Sequence, residues 1–182
     1  VHRNGFPRPI NSLYGKKSAR ILVIPMSFND LPFRAESNPS RPNTKSDLEA
    51  LKEVIPNVKD AFKKASAGRF EIEIDVLPQS EWWIFNQNIP VVIGAQINNF
   101  PKIMDLVATQ KSTFKFDVYD SYIVISGVGV PGQPGIGAGQ AQFGEKNKNG
   151  KDGSFNAVLM TGIWTNSGIW IHELGHSLFA FE

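Results

Sequence analysis

The stretch Gly168-Ile169-Trp170-Ile171-His172-Glu173-Leu174-Gly175-His176-Ser177-Leu178 decides how this chain is read. At its centre, His172-Glu173-Leu174-Gly175-His176 is an HExxH pentapeptide. On a helix, positions i and i+4 lie on one face about one turn apart. Two imidazole nitrogens placed there can reach one ion at about 2.0–2.1 Å. Glu173 follows the first histidine, and its carboxylate can approach a water held in an open metal position. The metal lowers the pKa of that water and polarises a carbonyl, while the glutamate takes the proton and hands it to the leaving amine. The chain has only three histidines, His2, His172 and His176. Chance alone would give HExxH in only about two of a thousand shuffles of this composition. Apolar flanks, Trp170-Ile171 before and Leu178-Phe179-Ala180-Phe181 after, suit a helix with one buried side. The bland alternative is a helix with two satisfied histidines and a surface glutamate.

Two histidines and a water do not complete a protein site, which usually takes a third protein ligand. His2 sits in a stretch read as loose, so a carboxylate or a tyrosine is favoured. Glu182 is in reach only if the helix ends and the chain bends back. The other possibility is a ligand beyond residue 182.

The rest of the chain frames the motif. It has 182 residues, 41% of them hydrophobic and 20% charged. That is a globular balance with enough length for a real core. A net charge of +2 is too small and too dispersed to argue for nucleic acid or an anionic membrane. No apolar run is long enough to span a bilayer. The absence of cysteine excludes disulfides, thiol nucleophiles and Cys-ligated zinc. Residues 1–8 do not read as a signal peptide.

Residues 1–19 read as an extended Pro-, Gly- and Lys/Arg-bearing lead-in, and residues 20–182 as one α/β domain. Arg20 to Phe28 is a buried strand, with Pro25 marking an irregular or edge position. Ser46-Asp47-Leu48-Glu49 has the form of a capping box. The helix it opens carries Leu48, Leu51, Val54 and Ile55, and Pro56 either kinks it or starts a second helix. Val58, Ala61, Phe62 and Ala65 extend the apolar face, and Gly68 is the expected stop. Phe70, Ile72, Ile74 and Val76 alternate with Glu71, Glu73 and Asp75, a strand with one solvated acidic face. Val91-Val92-Ile93 reads as a short strand. Residues 100–110 read as a helix with Ile103, Leu106 and Val107 inward. Ser121 to Ser126 reads as a central strand. The Gly- and Pro-rich run 127–139 reads as a loop, Gln140 to Phe143 as a short strand, 144–153 as a turn and Phe155 to Met160 as a strand. A last helix runs from Asn166 or Ser167 to the end. The order β-α-β-(β)-α-β-(β)-β-α implies layered α/β architecture with a mixed sheet.

The sequence resembles the zincin group of zinc metallopeptidases, and within it the immune-inhibitor-A-like (M6-like) secreted bacterial metallopeptidases. The resemblance rests on Ile21-Leu22-Val23-Ile24-Pro25-Met26-Ser27-Phe28-Asn29-Asp30, on Ala65-Ser66-Ala67-Gly68-Arg69-Phe70 and on the stretch 168–178. It implies a zincin-like N-terminal catalytic subdomain with a mixed twisted sheet, closed by the HExxH helix at the C-terminal end of the chain. It implies zinc held by His172 and His176, Glu173 as general base, a protein or peptide substrate, and an extracellular or cell-surface location. The metzincin-type extension has Gly three residues after the second histidine and a ligand three further on. Here those positions hold Phe179 and Glu182, and Glu182 keeps a ligand-capable side chain. The subdomain that follows the helix in such enzymes is not in this chain, which therefore reads as part of a longer protein.

Three weaker signals stand beside these. Gly135 to Phe143, with Gly137, Ala138 and Gly139 at its centre, can serve as the edge strand on which an extended substrate pairs. Its alternative is a surface loop, and a dinucleotide reading of its glycines fails for want of a strand–helix frame. Glu145-Lys146-Asn147-Lys148-Asn149-Gly150 has the outline of a Ca²⁺ loop. Its two lysines, and Asn156 where a bidentate glutamate belongs, favour a solvated hairpin turn. Glu81-Trp82-Trp83-Ile84-Phe85 reads as core rather than as an aromatic binding platform. The expected function is zinc-dependent endopeptidase chemistry. Its rivals are a zincin-like module without catalysis, kept open by Phe179, and a zinc hydrolase acting on something other than peptides.

Overall fold

The computed structural model describes residues 16–30, 32–33, 46–88, 103, 106–107, 109–116, 118–126, 136–143, 153–161 and 167–179. Its elements are β1 (Ser18–Ser27), α1 (Asp47–Ala65), β2 (Glu71–Val76), a 3-10 turn (Gln79–Glu81), β3 (Trp83–Ile84), β4 (Ser121–Ser126), β5 (Ile136–Phe143), β6 (Gly153–Thr161) and α2 (Ser167–Phe179). Residues 103, 106, 107, 109 and 110 are also helical.

Six strands form one mixed sheet in the order β2-β1-β4-β6-β5, with β3 pairing β1 beyond the end of β2. All pairings are parallel except β5 with β6. Strand β1 is central because it is apolar on both faces, as parallel strands covered on both sides must be. Ile21 and Val23 face one core with Ile123 and Ile125 of β4. Leu22, Ile24 and Met26 face the other with Tyr122 and Val124.

The first core is roofed by both helices. Ala50, Leu51, Val54, Val58 and Phe62 of α1 meet Trp170, Leu174 and Leu178 of α2 there. The second core holds Trp83, Phe85, Ile103 and Val107. Trp83 lies edge-on to Phe114 at 5.3 Å and to Phe85 at 6.4 Å. Trp82 and Trp83 are both buried, so the aromatic run is core, as its composition suggested. The indole N–H of Trp82 donates to the Leu77 carbonyl.

Several local readings are refined. Strand β1 begins at Ser18, inside the stretch read as lead-in, because Ser18 already pairs with Glu71 and Ala19 is buried. Pro25 is tolerated in a central strand by its position. Val23 offers its carbonyl to Leu77 on the β2 side, and Pro25, two residues on, faces that same side. There the ladder is interrupted between Val23↔Val76 and Met26↔Trp83, so the missing N–H is not needed.

The capping box at Ser46 is complete, with Glu49 N–H donating to the Ser46 hydroxyl and Ser46 N–H to the Glu49 carboxylate. Helix α1 runs unbroken through Pro56, which lies on its exposed side. Its last residue is Ala65, and the left-handed position after it falls one residue before the expected glycine, Gly68. Ala67 takes the left-handed conformation (φ 51°), and Gly68 N–H donates back to Lys63 while Ala67 N–H donates to Lys64. These two bonds form a Schellman motif with alanine in the glycine position.

The largest correction concerns 127–139. Ile136 to Gly139 are strand, not loop: β5 begins at Ile136 and pairs residue for residue with β6 as far as Phe143. Small residues hid it, since a Gly-Ala-Gly run carries little strand propensity, and its register comes from β6. The expected strand at 91–93 and most of the turn at 144–153 lie outside the described residues. Among the described residues, no helix is long and apolar enough to cross a membrane.

Candidate functional site

Helix α2 carries His172-Glu173-Leu174-Gly175-His176 in its middle. Its orientation follows from the stripe Trp170, Leu174 and Leu178, at i, i+4 and i+8. All three are buried against α1 and the sheet. At about 100° per residue, positions 172 and 176 fall on the side of the helix turned away from that stripe. His172 is exposed accordingly, while Glu173, between the two sides, is only 9% exposed. The helix thus presents one histidine to solvent with a largely covered carboxylate beside it. The helix also continues through position 179, a phenylalanine.

Helix α2 packs against β5 and β6 as well as α1. Among the described residues β5 has one neighbour, β6, and no described strand pairs with its far side. Gly137, Ala138 and Gly139 pair with Leu159, Val158 and Ala157 of β6 in antiparallel register. Two of the three carry no side chain, which favours the close approach of another backbone.

A polar contact anchors α2 to the sheet at the motif itself. Ser177, the residue after His176, shares a hydrogen bond with Ser121 at the start of β4, oxygen to oxygen 2.5 Å. Ser121 is fully buried. Sequence reading missed this pair. Serine at 177 stands where an otherwise apolar helix face meets the core, which was the available signal.

Among the described residues, no three His, Cys, Asp or Glu side chains gather where they could hold a metal ion. Of the expected ligands that statement covers only His172. The side chain of His176 and all of Glu182 lie outside the described residues, as does His2. The donor chemistry suits zinc: imidazoles at i and i+4 of one helix, with a carboxylate adjoining. In the weaker Ca²⁺ reading, Asn156 lies within β6 opposite Gln140, and residues 145–150 lie outside the described residues.

No protein-family model matches the chain, and no curated protein matches it.

Proposed function

We propose that this chain is the first part of the catalytic domain of a secreted, zincin-type zinc metalloendopeptidase, similar to the immune-inhibitor-A-like enzymes. The observation that carries the reading is HExxH on α2, with His172 exposed on the side facing away from the Trp170–Leu174–Leu178 stripe and Glu173 largely covered beside it. A buried helix with idle histidines would not need that orientation.

His172 and His176 would hold the ion, with Glu182 or a residue further along the protein as the third ligand. A zinc ion there would acidify a water and polarise the substrate carbonyl. Glu173 accepts the proton of the attacking water and returns it to the leaving nitrogen. Its shielded position raises the strength of that hydrogen bond relative to one in open water. An extended peptide would lie along β5 at Gly137, Ala138 and Gly139 as an added strand.

The test is hydrolysis of a denatured protein by the full-length natural protein, beside its Glu173→Gln variant, with zinc content measured in both. Cleavage by the parent, lost in the variant at equal zinc content, supports the reading. Zinc bound without cleavage would point to the zincin-like module that has lost catalysis. Hydrolysis of small esters or amides without cleavage of proteins would point to a non-peptidase hydrolase.

A further inference from the structure

The hydroxyl pair Ser121–Ser177 has a consequence that rests on the metallopeptidase reading and goes beyond it. Three groups of the proposed site, His172, Glu173 and His176, ride on one helix. Whatever else the site needs does not: a third ligand, and a substrate lying on β5. The rotation of α2 about its own axis therefore sets how the two halves of the site meet.

Apolar packing fixes that rotation only loosely. Trp170, Leu174 and Leu178 form a greasy stripe against α1 and the sheet, and such contacts are non-directional. A rotation of only about 10° moves an atom about 6 Å from the helix axis by about 1 Å. Metal–ligand distances tolerate about 0.2 Å. A directional contact near the ligands is the remedy, and Ser177 supplies one next to position 176. Its partner Ser121 is a residue of β4, held in the parallel ladder with β1 through Ile21. Strand β4 also pairs with β6, which in turn holds β5. The hydroxyl pair thus refers the helix to the same sheet that carries the proposed substrate edge.

We infer that Ser177 and Ser121 are positioning residues that lock the rotation of α2 against the sheet, so that the base and metal ligands on the helix meet the off-helix ligand and the β5-bound substrate in register. Neither touches substrate or metal.

Full-length Ser177→Ala is compared with Ser177→Thr, which keeps a hydroxyl at a half-buried position, and with Ser121→Ala and the double alanine variant. Two readouts are taken: steady-state cleavage of a peptide, and zinc affinity by competition with a chelator. In Ser177→Ala, kcat is expected to fall about tenfold or more while KM stays within about twofold, because substrate is still bound but misaligned. Zinc affinity is expected to fall by about tenfold. Ser177→Thr recovers both. The double variant loses less than the sum of the two single ones, as two groups sharing one hydrogen bond require.

Unchanged kcat and zinc affinity in Ser177→Ala, with an active parent, would overturn the positioning role and leave the peptidase reading standing. So would a fall that Ser177→Thr fails to recover, or additive losses in the double variant. A parent that neither binds zinc nor cleaves would remove the peptidase reading, and the positioning role with it.

Discussion

Trp170 and His172 are two residues apart on α2 and stand on opposite sides of it, one fully buried between α1 and the sheet and the other exposed. Little more than half a turn of helix thus separates what holds the element in place from what it offers to solvent. Replacing each should have opposite consequences. Trp170→Ala empties a large site in the core and is expected to destabilise by about 3–5 kcal/mol. In metal-free protein, His172→Ala is expected to change stability by no more than about 1 kcal/mol. On the proposed function, the same variant loses zinc. Urea unfolding of chelator-treated protein, followed by a zinc assay, checks all three statements. An equal loss of stability in both variants would mean that His172 serves the core instead.

Ala67 is a second place where the structure makes a definite demand. It holds φ 51° at the end of α1, a conformation in which a Cβ is strained, and the next residue, Gly68, holds φ 76°. Ala67→Gly should raise stability by about 0.5–1 kcal/mol, despite the larger freedom it gives the unfolded chain. Gly68→Ala should lower it by about 1 kcal/mol through backbone strain alone, since nothing lies within 4 Å of where the new Cβ would sit. Thermal unfolding of the two variants is the check, and shifts of the same sign would contradict the assigned geometry.

These two sites also show what the sequence could and could not reveal. The HExxH pentapeptide, the capping box at Ser46 and the alternation of β2 are local patterns, each complete within a few residues, and all three were legible. The burial of β1 on both faces was legible in its unbroken apolar run. The strand character of Ile136 to Gly139 was legible only as one of two readings, edge strand or loop, because glycine carries no preference and the partner that imposes the register, β6, lies some twenty residues further on. The exact stop of α1 was missed because alanine took a place where glycine is the usual signal. The Ser121–Ser177 contact links residues 56 positions apart, and no local pattern announces it.

Tyr119 offers a pH-dependent test away from the proposed site. Burial holds its phenol above the usual tyrosine range, and the hydrogen bond to Asp75 (3.1 Å) and the charge of that carboxylate push the same way. The guanidinium of Arg20, 4.7 Å from the ring centroid, opposes them. A folded pKa above the unfolded one means the folded state keeps its proton longer. The resulting stability is present in full below the unfolded tyrosine pKa of about 10, and is lost as pH rises through the folded value. Asp75→Asn removes the charge and keeps an acceptor. It should move the Tyr119 titration to lower pH without returning it to the free value, since burial remains. The ring carbon shifts of Tyr119, followed by NMR through alkaline pH, give the answer, and an unmoved titration would exclude Asp75 as a cause.

The order of the strands also has a bearing on how the chain is made. Strand β4 leaves the ribosome roughly a hundred residues after its partner β1, as the bond from Arg20 N–H to the Asp120 carboxylate marks. At about 5–20 residues per second, that is a wait of roughly 5–20 seconds. During it β1 has only β2 and β3 to pair with, and the edge along Ile21 to Met26 stays open and apolar, the kind of surface that chaperones cover. Helix α2 follows all six strands along the chain, onto a sheet that must already exist to receive it. A nascent chain is thus kept from assembling its HExxH face until the sheet beneath it is built, so any hydrolytic power that face confers waits on the sheet.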